Sequence, residues 1–137
     1  MPHPVPLTDV TDRWHQIVRT KDTAALQAIL ADDAVFESPV VHTPQHGKAI
    51  TFKYLHAALH VLNNDSFTYL NEWQSERSAV LEFQSTVEGI AINGVDIIHW
   101  NDAGLITHFK VMVRPLKAVN KLHEMMGRML RATPSTD

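Results

Sequence analysis

The chain has 137 residues and no cysteine, with 45% hydrophobic residues, 20% charged residues and a formal net charge of −3. This length predicts one domain with a sizeable core, and the lack of cysteine excludes disulfides, thiolate zinc sites and a cysteine nucleophile. The mild negative charge argues against a nucleic-acid partner, which needs a basic patch. Because we find neither an apolar run of membrane-spanning length nor a basic and apolar leader, we expect a cytoplasmic protein with no membrane partner.

The first half of the chain predicts three helices and one short strand. Residues 1–7 contain three prolines, which favour an extended arm. Amphipathic helices that begin at capping residues are predicted at about 8–20 and 22–31. A short strand at 34–38 ends at a proline, and a third helix spans 49–62.

Histidines in this half are candidate functional residues. His42 and His46 lie in the loop after the strand, where functional side chains often occur, so His42 is a candidate base. The alternative is that both are solvated turn residues. His56 and His60 have a spacing that can bind a metal from one helix face, but no third ligand lies nearby in sequence. We therefore expect no metal site and no cofactor.

The second half predicts a strand at 67–74 followed by three long antiparallel strands within 79–115. Apolar and polar residues alternate there, which is typical of strands with one buried face. Residues 88–89 can form the first turn between the long strands, and residues 101–104 the second. The inward positions in this register are Leu81, Phe83, Ile90, Ile92, Asp96, Ile98, Trp100, Leu105, Thr107, Phe109, Val111 and Val113.

The register decides which way Asp96 points. Asn93-Gly94 is a competing hairpin turn that would direct Asp96 outward, because a one-residue slip exchanges the two faces of a strand. The residues alone leave both registers open. In the first register Asp96 faces an apolar surround that includes Trp100 and Phe109. A carboxyl group there must find a donor or have its pKa raised, so Asp96 is either a functional acid or a structural acid bonded to a neighbouring group.

The opposite face of the last two strands is too apolar for a solvated surface. It carries Val95, Ile97, His99, Ile106, His108, Lys110, Met112 and Arg114. A C-terminal helix predicted at 116–130 or a second subunit can cover it, and we favour a homodimer through this face. That helix can instead form a lid over an inner pocket or bind a partner, and a polar, flexible tail follows at 131–137. Arg114 points outward by parity, unless a twist before Pro115 brings it to the pocket rim.

Three helices, four strands and a last helix predict an α+β domain with helices segregated from an antiparallel sheet. This order, together with the segments LADDAVFESPV and GVDIIHWNDAGLITHFK, resembles the nuclear transport factor two-like superfamily, also called SnoaL-like. The resemblance covers about residues 7–114. It implies a strongly curved antiparallel sheet that helices wrap into a cone with an apolar pocket, a cystatin-like α+β barrel, within a single domain over 1–137.

The ketosteroid isomerase group is the enzyme branch whose pattern is most similar to residues 96–104, with an acid, alternating aromatics and an N-x-x-G turn. In that group a protonated aspartic acid and a tyrosine stabilise the enolate while a second aspartate moves the proton. The resemblance places the protonated acid at Asp96. However, Ser38 stands at the general-base position and Trp14 at the oxyanion tyrosine, and the supporting tyrosine falls one residue past Tyr54. Steroid isomerisation by the family mechanism is therefore not expected.

Two functions remain open from the sequence. One is acid–base catalysis of the isomerase, cyclase, dehydratase or hydrolase type on a small, mostly hydrophobic carbonyl, phenol or enol compound. Asp96 would then be the proton donor, with His42 as a possible base. The other is a non-catalytic ligand-binding or dimerisation module in which Asp96 is structural. The predicted ligand-binding residues are Trp14, Ser38, Tyr54, Phe83, Ile98, Trp100, Phe109 and Val111.

Overall fold

A computed structural model describes residues 8–132 of the chain. In chain order, the elements are α1 (Thr8–Thr20), α2 (Thr23–Ile29), β1 (Leu30–Glu37), β2 (Gln45–His46), α3 (Lys48–Leu62), β3 (Thr68–Gln74), β4 (Ser78–Val87), β5 (Ile90–Trp100), β6 (Ile106–Arg114) and α4 (Leu116–Ala132). None of these four helices combines the length and apolar character that crossing a membrane requires. The predicted arm at 1–7 and residues 133–137 of the predicted tail lie outside the described residues, whereas 131 and 132 belong to α4.

The boundary between α2 and β1 lies earlier in the chain than the sequence predicted. At the start of α2, Asp22 caps the helix, because its Oδ1 accepts a 3.1 Å hydrogen bond from the Ala25 backbone N–H. The next strand begins at Leu30, earlier than the predicted 34–38, and Leu30 is 1% exposed. The chain therefore enters the sheet directly from the helix and buries this apolar residue in the core.

The six strands form one sheet in the order β2-β1-β6-β5-β4-β3. Neighbouring strands are antiparallel except for β1 and β6, which are parallel. The sheet is curved and unclosed, with β2 and β3 as its edges. The predicted fold class, a curved antiparallel sheet with N-terminal helices and an added C-terminal helix, is confirmed; the two-residue β2 is an addition.

The β4–β5 hairpin adopts the first of the two predicted registers. Its turn at 88–89 has φ angles of 48° and 81°, the two positive values that a type I′ turn requires. Leu81 lies opposite Asp96 in the ladder. Asp96 consequently faces inward and is only 7% exposed. The competing turn at 93–94 does not form.

A register shift at the start of β6 changes which residues face the core. His99 pairs with His108, but the next residue, Trp100, pairs with Ile106, so Thr107 is an extra residue on β6. Ile106 is fully buried. The prediction that Ile106 lies on the outer face is therefore wrong, because the extra residue reverses the alternation there. Thr107, predicted to face inward, is only partly buried.

Helix α4 lies on the inner side of the sheet. It contacts α3, and its Leu122 and Met126 face the same space as Phe109 and Val111 of β6. Helix α4 therefore does not cover the outer face, although the sequence offered it as one of two possible covers. Met112 on that outer face is 55% exposed.

Candidate functional site

A cavity of about 190 Å³ lies between the inner face of the sheet and helices α1, α3 and α4. Its aromatic lining consists of Trp14, Phe36, Tyr54, Phe67, Tyr69, Phe83 and Phe109. These rings pack against one another; Phe67 and Phe83, for example, stack with centroids 5.4 Å apart. The polar or titratable side chains in the wall are Ser38, Tyr54, Asn63, Tyr69, Asp96 and His123. The cavity is therefore suited to a flat, mostly apolar compound with few polar groups.

Asp96 stands at the end of a chain of two hydrogen bonds. The indole Nε1–H of Trp14 donates to the Tyr69 hydroxyl oxygen at 2.9 Å, and the Tyr69 hydroxyl donates to Asp96 Oδ2 at 2.7 Å. An indole N–H can only donate, so the Tyr69 oxygen accepts from Trp14 and its hydrogen is directed to Asp96. Both hydrogen bonds therefore point the same way, from Trp14 on α1 through Tyr69 on β3 to Asp96 on β5.

The other carboxyl oxygen of Asp96 is open to the cavity. Within residues 8–132, Oδ1 makes no hydrogen bond. In the same part of the chain, every side-chain nitrogen or oxygen that is fully shut off from solvent has a partner. Oδ1 must therefore have accessible surface, and Asp96 lines the cavity. This oxygen is the one that a ligand can reach.

Burial raises the pKa of Asp96 from 3.8 to about 7, and the hydrogen bond from Tyr69 opposes that rise. At neutral pH both forms of the carboxyl group are then populated, which suits proton transfer in either direction. Burial and the adjacent Asp96 charge raise the pKa of Tyr69 well above its ordinary value. Tyr69 thus stays a neutral donor while Asp96 changes its protonation state.

Seven of the ten predicted site residues line the cavity. They are Trp14, Ser38, Tyr54, Phe83, Asp96, Phe109 and Val111. Ser38 is also held locally, because its Oγ accepts a 3.1 Å hydrogen bond from the Val40 backbone N–H. This leaves the Ser38 hydroxyl hydrogen available to another acceptor.

The structure does not bring Ile98, Trp100 or His42 to the cavity wall. Ile98 and Trp100 lie on the inner face of β5, but at 0% and 6% exposure they are packed into the core farther along the strand. His42 is exposed in the loop between β1 and β2. Proton transfer by His42 within the cavity therefore has no support in the geometry. Arg114, whose orientation the sequence left open, is exposed and donates from Nη1 to Asn93 Oδ1 at 3.3 Å on the outer face.

Sequence reasoning missed Tyr69 and the contribution of α4. The sequence predicted a strand at 67–74, but no local pattern relates β3 to Asp96 two strands away. Helix α4 adds Leu122, His123, Met126, Gly127 and Leu130 to the wall. The sequence predicted this helix but left open whether it covers the outer face, forms a lid over an inner pocket or binds a partner.

The paired histidines of α3 bond locally. His60 Nδ1–H donates to the His56 carbonyl oxygen at 2.9 Å, and burial lowers the pKa of His56. Among residues 8–132, no group of three His, Cys, Asp or Glu side chains is arranged to hold a metal ion.

Comparison with known proteins relates most of the cavity-forming region, apart from the end of β6 and helix α4, to one family. The model of the SnoaL-like domain family matches residues 11–109. A steroid delta-isomerase from Pseudomonas aeruginosa is similar at 35% identity with a TM-score of 0.88, covering 96% of each chain. An uncharacterised protein with a cystatin-like fold from Silicibacter pomeroyi is 28% identical, with a TM-score of 0.84 over 92% of this chain and 88% of that one.

At lower identity, the likeness concerns the fold alone. A protein of unknown function from Mesorhizobium loti, described as NTF2-like, is 18% identical with a TM-score of 0.69. The match covers 82% of this chain and 98% of that one. A search of curated proteins finds no match to the chain.

Proposed function

Because the chain belongs to the SnoaL-like domain family and is related to ketosteroid isomerases, we propose that it binds a small, mostly hydrophobic carbonyl, phenol or enol compound in the cavity and transfers a proton on it. The observation that carries this proposal is the free Oδ1 of Asp96 on a mostly apolar wall. A buried carboxyl group whose pKa lies near 7 is a candidate for acid–base chemistry rather than for packing alone.

In the proposed reaction Asp96 is the catalytic residue. Its ionised form removes a proton from the carbon next to the ligand carbonyl, and the protonated form returns that proton to the same carbon or to the far end of a conjugated system. Ser38 and Tyr54 are wall hydroxyls able to donate to the enolate oxygen. No second acid or base is needed, because one carboxyl group takes and returns the proton.

Tyr69 and Trp14 are positioning residues in this scheme. Tyr69 occupies Oδ2 and leaves Oδ1 facing the ligand, and Trp14 holds the Tyr69 hydroxyl in the donating orientation. The relative from Pseudomonas aeruginosa is described as a steroid delta-isomerase, a reaction class that also moves a proton beside a carbonyl. For this chain, we propose the proton transfer and not a particular substrate of that relative.

Proton exchange at carbon tests the proposal directly. Cyclic ketones and enones are incubated with the protein in D₂O, and the loss of the signal from the hydrogens beside the carbonyl is followed by NMR. We expect exchange with wild type and none above background with Asp96→Asn. His42→Ala is the matched control, since it removes the other predicted acid–base group but lies outside the cavity, and it should exchange like wild type. Ligand binding without any exchange would instead identify a non-catalytic binding module.

We also propose that the outer sheet face joins two copies of this chain. Trp73, Val80 and Ile97 are paired in register across β3, β4 and β5, and they form an apolar row on that face. Trp73 is 56% exposed. The same face carries Glu82 on β4 and Lys110 on β6, so it has charges of both signs that can pair across a two-fold interface. A second copy is therefore the favoured cover.

A further inference from the structure

The volume of the cavity bears on the size of the ligand. It measures about 190 Å³. A dry protein cavity of about 150 Å³ holds one benzene ring, whereas pockets for drug-sized ligands occupy about 300–1,000 Å³. This cavity therefore has room for one or two rings, and it falls well below the size that a four-ring skeleton needs.

Helix α4 forms one side of the cavity wall. Met126 and Leu130 lie in the wall. The helix is held down through Ala118, which is fully buried. It is also tied to the β4–β5 turn, because Lys121 Nζ lies 3.0 Å from Glu88 Oε1 and Arg128 Nη1 lies 3.6 Å from Glu88 Oε2. The limit on volume is thus built into the position of α4.

We infer that the ligand is a one- or two-ring ketone, enone or phenol and that α4 excludes four-ring compounds. This inference rests on the proposed function, since it concerns the same cavity and the same carboxyl group. The aromatic side chains favour a flat ring. Asp96 supplies the polar contact, so the oxygen or the acidic carbon of the ligand lies at its end of the cavity. The rest of the ligand lies under Met126 and Leu130.

Two phenols that differ in size provide the test. 2-Naphthol has two rings and estradiol has four, and both present one phenolic hydroxyl to Asp96. We expect wild type to bind 2-naphthol at least about tenfold more tightly than estradiol in calorimetric titrations. The larger apolar surface of estradiol would favour the opposite order at an open hydrophobic patch, so size exclusion is separated from general hydrophobicity.

Variants of α4 then show where the limit arises. Leu130→Ala shortens a wall side chain and should raise estradiol affinity about tenfold while 2-naphthol binding changes less. Leu116→Ala is the matched control, because it makes the same change in the same helix at a residue that is 74% exposed and outside the cavity wall. Met126→Ala repeats the test at a second wall position, in case Leu130→Ala unfolds.

The outcomes separate this inference from the proposed function. If wild type binds estradiol as tightly as 2-naphthol, and Asp96→Asn weakens both, the size limit is wrong and the proposed function stands. If wild type binds neither phenol, the proposed function and the size limit fall together. Equal estradiol affinity in wild type, Leu130→Ala and Met126→Ala would remove α4 as the cause of the limit.

Discussion

The hydroxyl of Tyr69 on β3 donates a 2.7 Å hydrogen bond to Asp96 on β5, although β4 lies between these two strands. Strands two places apart in a flat sheet are separated by about 10 Å, and inner side chains there stand parallel to one another. Curvature of the sheet tilts them together, so this contact depends on the shape of the whole sheet. Because the Tyr69 hydrogen bond lowers the pKa of Asp96, the shape of the sheet affects the ionisation of this carboxyl group.

Tyr69→Phe is expected to raise the pKa of Asp96 above its value of about 7. The Tyr69 hydrogen bond stabilises the ionised carboxylate and lowers this pKa, so its removal leaves desolvation unopposed. A ¹³C NMR titration of the aspartate carboxyl groups measures the shift. The change also leaves the Trp14 N–H without its acceptor, which should cost on the order of 1–3 kcal/mol of stability.

Tyr54→Phe is the matched control for that experiment. Tyr54 also presents a hydroxyl group to the cavity, but the partner of Asp96 Oδ2 is Tyr69. The pKa of Asp96 should therefore be the same in Tyr54→Phe as in wild type. An equal shift in both variants would mean that general polarity of the cavity, and not the Tyr69 hydrogen bond, controls this acid.

Local sequence patterns offered two registers around Asp96, and one of them is the register that forms. The alternation of residues 81–87 and the Glu88-Gly89 turn predict Leu81 opposite Asp96, which is the observed pair. They do not predict the extra residue at Thr107. Leu105, Thr107 and Phe109 fit one strand face by simple alternation, so the sequence gives no sign of an insertion. The face of Ile106 was misassigned for that reason.

The cavity was predicted less completely than the fold. Residues on α1, β4 and β6 that reach its wall, such as Trp14, Phe83 and Phe109, follow from periodicity within one element. Tyr69 and Leu130 reach it only through the curvature of the sheet and the return of α4 over its inner face. No pattern within β3 or α4 specifies those long-range arrangements.

Asp96→Asn should stabilise the folded protein increasingly as pH rises. The pKa of Asp96 is about 7 in the folded state against 3.8 ordinarily, so the folded state holds this proton more tightly than the unfolded state does. The protonated acid makes its full contribution to stability below pH 3.8, and this contribution is lost as the pH rises to 7. Between pH 5 and pH 8 the free energy of unfolding of wild type should fall by about 3 kcal/mol relative to that of the variant, because the slope is about 1.4 kcal/mol per pH unit up to pH 7 and small above it.

Urea unfolding of both proteins at pH 5 and pH 8 measures that difference. Other titratable groups, such as Glu37, contribute equally to wild type and variant and cancel in the comparison. Parallel stability profiles for the two proteins would show that Asp96 has an ordinary pKa, and the proton-transfer proposal would lose the support of a pKa near 7.

Met112→Glu should convert the proposed dimer into a monomer. Met112 is 55% exposed on the outer face. It pairs with Val95 on β5, and Val95 pairs in turn with Glu82 on β4. Two-fold symmetry would bring the added charge in both copies into one apolar interface, where desolvation is unfavourable. Light scattering after size-exclusion chromatography should give twice the chain mass for wild type and the single chain mass for the variant.

Leu116→Glu adds the same charge at an exposed apolar residue outside that face and should remain dimeric. A wild-type protein that is monomeric at all accessible concentrations would refute the interface. A dimer that survives Met112→Glu would place the contact on another surface.

Gly94→Ala should destabilise the protein and reduce the cavity together. A Cβ at Gly94 would lie 2.6 Å from the Met112 carbonyl oxygen and 2.7 Å from Phe83 Cζ, both far inside normal contact. The Phe83 ring must shift to relieve one contact, and the contact with the carbonyl, which is part of the backbone, must strain the sheet itself. Overpacking of this kind costs about 1–3 kcal/mol. Because Phe83 lines the cavity, 2-naphthol binding should weaken in the variant that remains folded.

Gly127→Ala separates this steric effect from a general response to glycine replacement. Its nearest neighbour is Arg131 Nη1 at 3.1 Å, the mobile end of an exposed side chain, and alanine is favoured over glycine within a helix by about 1 kcal/mol. Urea unfolding should therefore show unchanged or increased stability for Gly127→Ala and a clear loss for Gly94→Ala. If Gly94→Ala keeps wild-type stability, the Phe83 ring has room to move, and the cavity wall at β4 is less tightly packed than these distances indicate.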